Sequence, residues 1–76
     1  MVLLSYEQCK ENVSLFVKRK ILKDENSLRK IAAELGTSAP MILQFSTKES
    51  FPTSDILKAM AHMFFTTVDN ILQGKI

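Results

Sequence analysis

The sequence has few of the residues that break or staple a chain. Two glycines and two prolines in 76 residues argue against a fold built of many tight hairpins. Cys9 is the one cysteine, so no intrachain disulfide is possible and a reducing compartment fits. No apolar run reaches the roughly 18 residues that a membrane-spanning helix needs. The opening MVLLSYEQ has no basic region and too short an apolar stretch for a secretion signal. A cytoplasmic location is therefore expected. Neither sign of charge dominates: ten Lys and Arg face eight Asp and Glu, for a net charge of +2. That mild excess permits nucleic-acid binding without demanding it.

What is present is a globular composition. Apolar residues make up 46% and charged residues 24%, so a compact core is feasible. The length predicts a single domain over 1–76, small enough to be marginal in stability. Helical periodicity along most of the chain makes the expected fold all-α.

Five helices are expected, at about 5–22, 28–35, 39–47, 54–65 and 68–73. Ser5 can cap the first. Tyr6, Cys9, Val13, Phe16, Val17 and Lys20/Ile21 follow an inward 3–4 spacing, with Glu7, Gln8, Lys10, Glu11, Asn12 and Ser14 on the other side. The polar run Lys23-Asp24-Glu25-Asn26 reads as a break, and Ser27 as the cap of the second helix. There Leu28, Ile31, Ala32 and Leu35 share one face. Gly36 ends that helix, because glycine takes a left-handed conformation at little cost. Ser38 caps the third helix, and Pro40 falls in its first turn, where its missing N–H had no partner to lose. Ile42 and Phe45 can pack back on the helix before. Two short helices around such a turn, here about 28–47, make a helix-turn-helix unit.

The rest of the chain has ordinary helix signals. Phe51 precedes a proline and is pushed to extended backbone. Thr53 or Ser54 caps the fourth helix, with Asp55 in its first turn. Ile56, Leu57, Met60, Ala61 and Phe64 make a broad apolar stripe. Thr67 caps the last helix, with Val68, Ile71 and Leu72 facing in, and Gly74 terminates it. The apolar residues 1–4 are expected to dock on the body or on a partner.

From Ser27-Leu28-Arg29-Lys30-Ile31-Ala32-Ala33-Glu34-Leu35-Gly36-Thr37-Ser38 onward the sequence resembles the lambda-repressor-like (Cro-type, XRE-type) helix-turn-helix family. That family's usual run is Ser-Leu-Arg-x-Leu-Ala-x-x-x-Gly-Val-Ser. Ile42 and Phe45 are similar to its apolar pair after the turn, and Thr67-Val68-Asp69-Asn70-Ile71-Leu72 to its final helix. The likeness covers roughly residues 10–73, in the family's order and spacing. Two of the departures from the family follow the third helix. Where the family's loop often ends in Asn-Pro-Ser, this chain has Phe51-Pro52-Thr53. Where the family commonly has Glu-Arg-Gly after the second apolar position, it has Ser46-Thr47-Lys48.

The resemblance implies a compact five-helix domain that binds duplex DNA with its third helix in the major groove. Such a protein is a sequence-specific transcription regulator, commonly a repressor, of bacterial, phage or plasmid type. The outward positions of the third helix would be Ala39, Pro40, Met41, Leu43 and Gln44, with Ser46 and Thr47 following. Gln44 suits adenine, which it can bond through both ends of its carboxamide, and Ala39, Met41 and Leu43 can touch thymine methyls. Lys18, Arg19, Lys20, Lys23, Arg29, Lys30 and Lys48, with Ser38 and Thr47, are the candidate phosphate contacts. Ser27 and Ser38 have a competing role as caps. Phe65, Val68, Leu72 and Ile76 are the candidate homodimer interface, because the family's last helix often pairs there. Leu3 and Leu4 can join it.

Blander readings stand beside these. Gln44 can be an ordinary exposed glutamine, the basic cluster a solvated face, and Phe65 a lid on the monomer's own core. The exposed pair Met41 and Leu43 also fits a protein-binding patch, so an interaction module on the same fold, an antirepressor or adaptor, is the alternative. Cys9 reads as a small buried hydrophobe. His62 has no second ligand at i±3 or i±4, so no metal is expected. Asp55 and Asp69 are first-turn carboxylates, there is no phosphate-binding glycine loop, and no catalytic constellation is found. No cofactor and no enzymatic activity are expected.

Overall fold

Each helix in the chain starts and stops for a local reason. The computed structural model of the protein describes residues 5–23 and 25–75. Over these it is all-α: α1 (Tyr6–Lys20), α2 (Glu25–Leu35), α3 (Ala39–Ser46), α4 (Ser54–Met63) and α5 (Val68–Gln73). The readings for residues 1–4, Leu3 and Leu4 among them, and for Asp24 and Ile76 lie outside the described residues.

Four helices begin on a hydroxyl cap. The Gln8 N–H donates to Ser5 Oγ at 3.2 Å while the Ser5 N–H donates to Gln8 Oε1, also at 3.2 Å, a reciprocal capping box. Ser38, Thr53 and Thr67 accept in the same way from Met41, Ile56 and Asn70. α2 differs from expectation: it starts at Glu25, so Ser27 lies inside the helix and is not its cap. The polar run 23–26 contains no glycine or proline, and its last two residues, Glu25 and Asn26, open α2, since acidic and amide side chains are acceptable in a first turn near the positive end of the dipole.

Four helices also end in one way. After α2, the Gly36 N–H donates to the Ala33 carbonyl and the Thr37 N–H to the Ala32 carbonyl; after α5, Gly74 and Lys75 donate to Ile71 and Asn70. Both glycines are left-handed, with φ of 74° and 73°. This paired closure is the Schellman motif. The same pairing follows α3, from Lys48 and Glu49 to Phe45 and Gln44, and α4, from Phe65 and Thr66 to His62 and Ala61. There the left-handed residue is Lys48 (φ 68°) or Phe65 (φ 56°). α4 consequently stops at Met63, two residues short of the expected end.

The helices close on one core. α1 packs against α3 and α5, α2 against α3 and α4, and α4 against α5. Val13, Phe16, Val17 and Ile21 from the α1 segment meet Leu28, Ala32, Leu35, Ile42, Phe45, Leu57, Met60, Ala61 and Ile71. The Phe16 and Phe64 rings meet edge to face with centroids 5.3 Å apart, a favoured aromatic geometry.

α1 is rotated from the expected face. Ser14, assigned to the outer side, is buried, and its hydroxyl donates to the Ser46 carbonyl at the end of α3. Tyr6, assigned inward, is 58% exposed. It leans on Phe51, with centroids 5.3 Å apart, and Lys10 Nζ lies 4.5 Å above its ring. Cys9 is half-buried. A buried hydroxyl is tolerated where a carbonyl accepts from it, and periodicity alone cannot reveal such a partner 32 residues away.

Candidate nucleic-acid interface

The α2–α3 unit presents one side of α3 to solvent. Ile42 and Phe45 seat the helix, both essentially buried, and Ser46, expected outward, is buried behind them. Its hydroxyl donates to the Leu43 carbonyl at 2.7 Å. The opposite side carries Pro40, Met41, Leu43 and Thr47, all exposed, with Ala39 and Gln44 half-buried. Met41 is 36% and Leu43 46% exposed, so the outward strip is largely apolar.

Gln44 is held from behind. Its Oε1 accepts from Ser50 Oγ at 2.8 Å. Its backbone carbonyl accepts from the Glu49 N–H at 3.0 Å, the Ser50 N–H at 3.3 Å and Thr47 Oγ1 at 3.2 Å. The start of the α3–α4 loop is thus wrapped on this one residue.

The candidate phosphate contacts fall in several places. Lys18, Arg19 and Lys20 form the last turn of α1, where cations favour the dipole. Lys18 follows Ser14 by one turn and so continues the stripe that faces α3. Arg19 instead lines a small groove with Asn12, Leu15, Phe16 and Gly74, on the α5 side. Arg29 and Lys30 lie on α2 and are exposed, as are Lys23 and Lys48, while Lys20 is half-buried. Ser38 spends its oxygen on the Met41 N–H.

The candidate dimer residues separate as well. Phe65 is 98% exposed and does not close the monomer core. Val68 and Leu72 pack partly against that core, as do Met63 and Phe64. The apolar surplus of the C-terminal helices therefore reduces to Phe65 among the described residues. Asn12 ties α1 to this end, its amide donating to the Leu72 carbonyl at 2.8 Å.

No protein-family model, curated protein or solved structure matches the chain. Among the described residues, no three His, Cys, Asp or Glu side chains are grouped as a metal site requires. No described helix is long and apolar enough to cross a membrane.

The left-handed lysine gives a first prediction. A non-glycine residue in this conformation costs about 1 kcal/mol. Lys48→Gly should therefore raise stability by about that amount, or ~4–8 °C in a domain of this size. Thermal unfolding followed by circular dichroism checks it; an unchanged or lower midpoint would show that Lys48 gains more from its surroundings than its backbone costs.

Proposed function

We propose that this chain is a sequence-specific duplex-DNA-binding transcription regulator, similar to the lambda-repressor-like helix-turn-helix proteins, acting as a homodimer. α3 enters the major groove, and the basic residues of α1, α2 and the α3–α4 loop contact phosphates. One observation carries the reading: a short helix follows a left-handed glycine turn, anchored from behind by Ile42 and Phe45, with its opposite side open. A dimer would set two such helices about 34–36 Å apart, one turn of DNA, and require a near-palindromic site. The protein would work in the cytoplasm, without enzymatic activity or cofactor.

A second reading is favoured by the exposure of Met41 and Leu43: α3 binds a protein and the domain is an antirepressor or adaptor. A mobility shift with Gln44→Ala and Met41→Ala separates the two. DNA binding predicts that Gln44→Ala loses preference for the specific site while weak non-specific binding persists. Partner binding predicts no change in any DNA affinity for either variant, and loss of partner capture by Met41→Ala.

Phe65 supports the dimer. A fully exposed ring held on left-handed backbone is unfavourable in the monomer and useful at an interface. Phe65→Gly should therefore act in opposite directions on two readouts. Thermal stability measured at monomeric concentration should rise by about 1 kcal/mol, while self-association in sedimentation equilibrium should weaken about tenfold or more, as for an aromatic anchor. Unchanged association would remove Phe65 from the interface.

A further inference from the structure

We infer that Ser50 decides which base Gln44 reads, by holding the carboxamide oxygen toward the loop and its NH2 outward, so that the side chain selects guanine over adenine. The inference rests on the DNA-binding reading above and concerns the specificity of that site.

A glutamine free at both ends reads adenine: its oxygen accepts from the adenine amino group while its nitrogen donates to N7. Gln44 is not free in this way. Its Oε1 already accepts from Ser50 Oγ at 2.8 Å, and the Ser50 backbone N–H donates to the carbonyl of the same residue at 3.3 Å. Ser50 thus grips Gln44 at two points. The turn that delivers it runs through left-handed Lys48 and the 3.0 Å bond from the Glu49 N–H to the Gln44 carbonyl. With the oxygen turned to the loop, the outward end of the side chain is a pair of N–H donors. Guanine offers two adjacent acceptors, N7 and O6, in the major groove, whereas adenine offers one acceptor and a donor. A donor pair matches guanine and meets the adenine amino group unfavourably.

Ser50 is a positioning residue, so the test reads base preference as well as affinity. Wild type, Gln44→Ala, Ser50→Ala and Ser50→Thr are each used to select sites from random short duplexes. Affinities are then measured on the selected site and its single-base variants. The position at which Gln44→Ala loses its preference is the one Gln44 reads. There wild type should favour guanine over adenine about tenfold. Ser50→Ala should lose that preference and shift toward adenine, and Ser50→Thr, which keeps the hydroxyl, should retain it. Thermal unfolding of Ser50→Ala verifies that the fold is intact, since a structural role alone would not change base preference. An adenine preference in wild type, or an unchanged preference in folded Ser50→Ala, overturns the inference and leaves DNA binding standing. If wild type enriches no sequence at all, the DNA reading fails and this inference falls with it.

Discussion

Replacing Ile42 with alanine will leave the domain close to unfolding at physiological temperature. Ile42 is completely buried and lies on α3, which packs against both α1 and α2. Truncating a buried isoleucine to alanine costs about 2–5 kcal/mol, because the transfer free energy of the lost carbons is joined by that of the cavity left behind. A 76-residue chain, at about 0.05–0.15 kcal/mol per residue, has only about 4–11 kcal/mol in total. At ~4–8 °C per kcal/mol, the unfolding midpoint should drop by at least ~8 °C. Ile42→Val, which removes one methyl group, should cost about 0.5–1.5 kcal/mol and serves as the graded control. A drop of under ~5 °C in Ile42→Ala, read by circular dichroism, would mean that α3 is not anchored through this side chain.

If the proposed dimeric DNA-binding function holds, affinity for the specific duplex should weaken by about four orders of magnitude between roughly 50 and 200 mM salt. The reason is counterion release: each phosphate neutralised by a lysine or arginine frees condensed cations, and salt opposes that release. With about four contacts per subunit, a dimer makes about eight, for a log–log slope near −7 at about −0.9 per contact. Lys18, on the stripe of α1 facing α3, is the first residue to remove. Lys18→Ala should lower affinity for specific and unrelated duplexes alike and reduce the steepness by about one per subunit. Arg19, bordering the α5 groove, should contribute less. A mobility shift at two salt concentrations measures the slope, and an affinity that does not respond to salt would sink the DNA-binding reading.

The turn between α2 and α3 and the inner side of α3 are legible in the sequence. Gly36, Ser38, Pro40, Ile42 and Phe45 carry local signals that define the turn, the start of α3 and its inner side, and each sits as its residue type predicts. The outer side was less legible. Ser46 and Ser14 are polar by type yet buried, because each finds a carbonyl to bond within the fold. Gln44 looked like an isolated glutamine, and only the folded loop reveals its tie to Ser50. A serine six residues beyond Gln44 has no periodic signature, and the Gly-less turn at Lys48 hides the reversal that brings it back.

The sequence by itself determined the number and order of the helices, the caps Ser5, Ser38 and Thr67, a choice of Thr53 or Ser54 for the fourth helix, and the glycine stops of α2 and α5. Those features rest on hydrogen bonds within three to five residues, so the local residue types decide them. Tertiary structure alone decided that α1 turns Ser14 inward and Tyr6 outward, and that Lys48 and Phe65 take a left-handed conformation that their side chains disfavour. It also decided that Gln44 is held by Ser50 and that Phe65 stands clear of the core. The physical reason is a difference of scale. A left-handed lysine costs about 1 kcal/mol, while each fully buried apolar side chain that seats a helix contributes about 1.5–3 kcal/mol. Several such contacts between distant segments therefore outweigh a local preference.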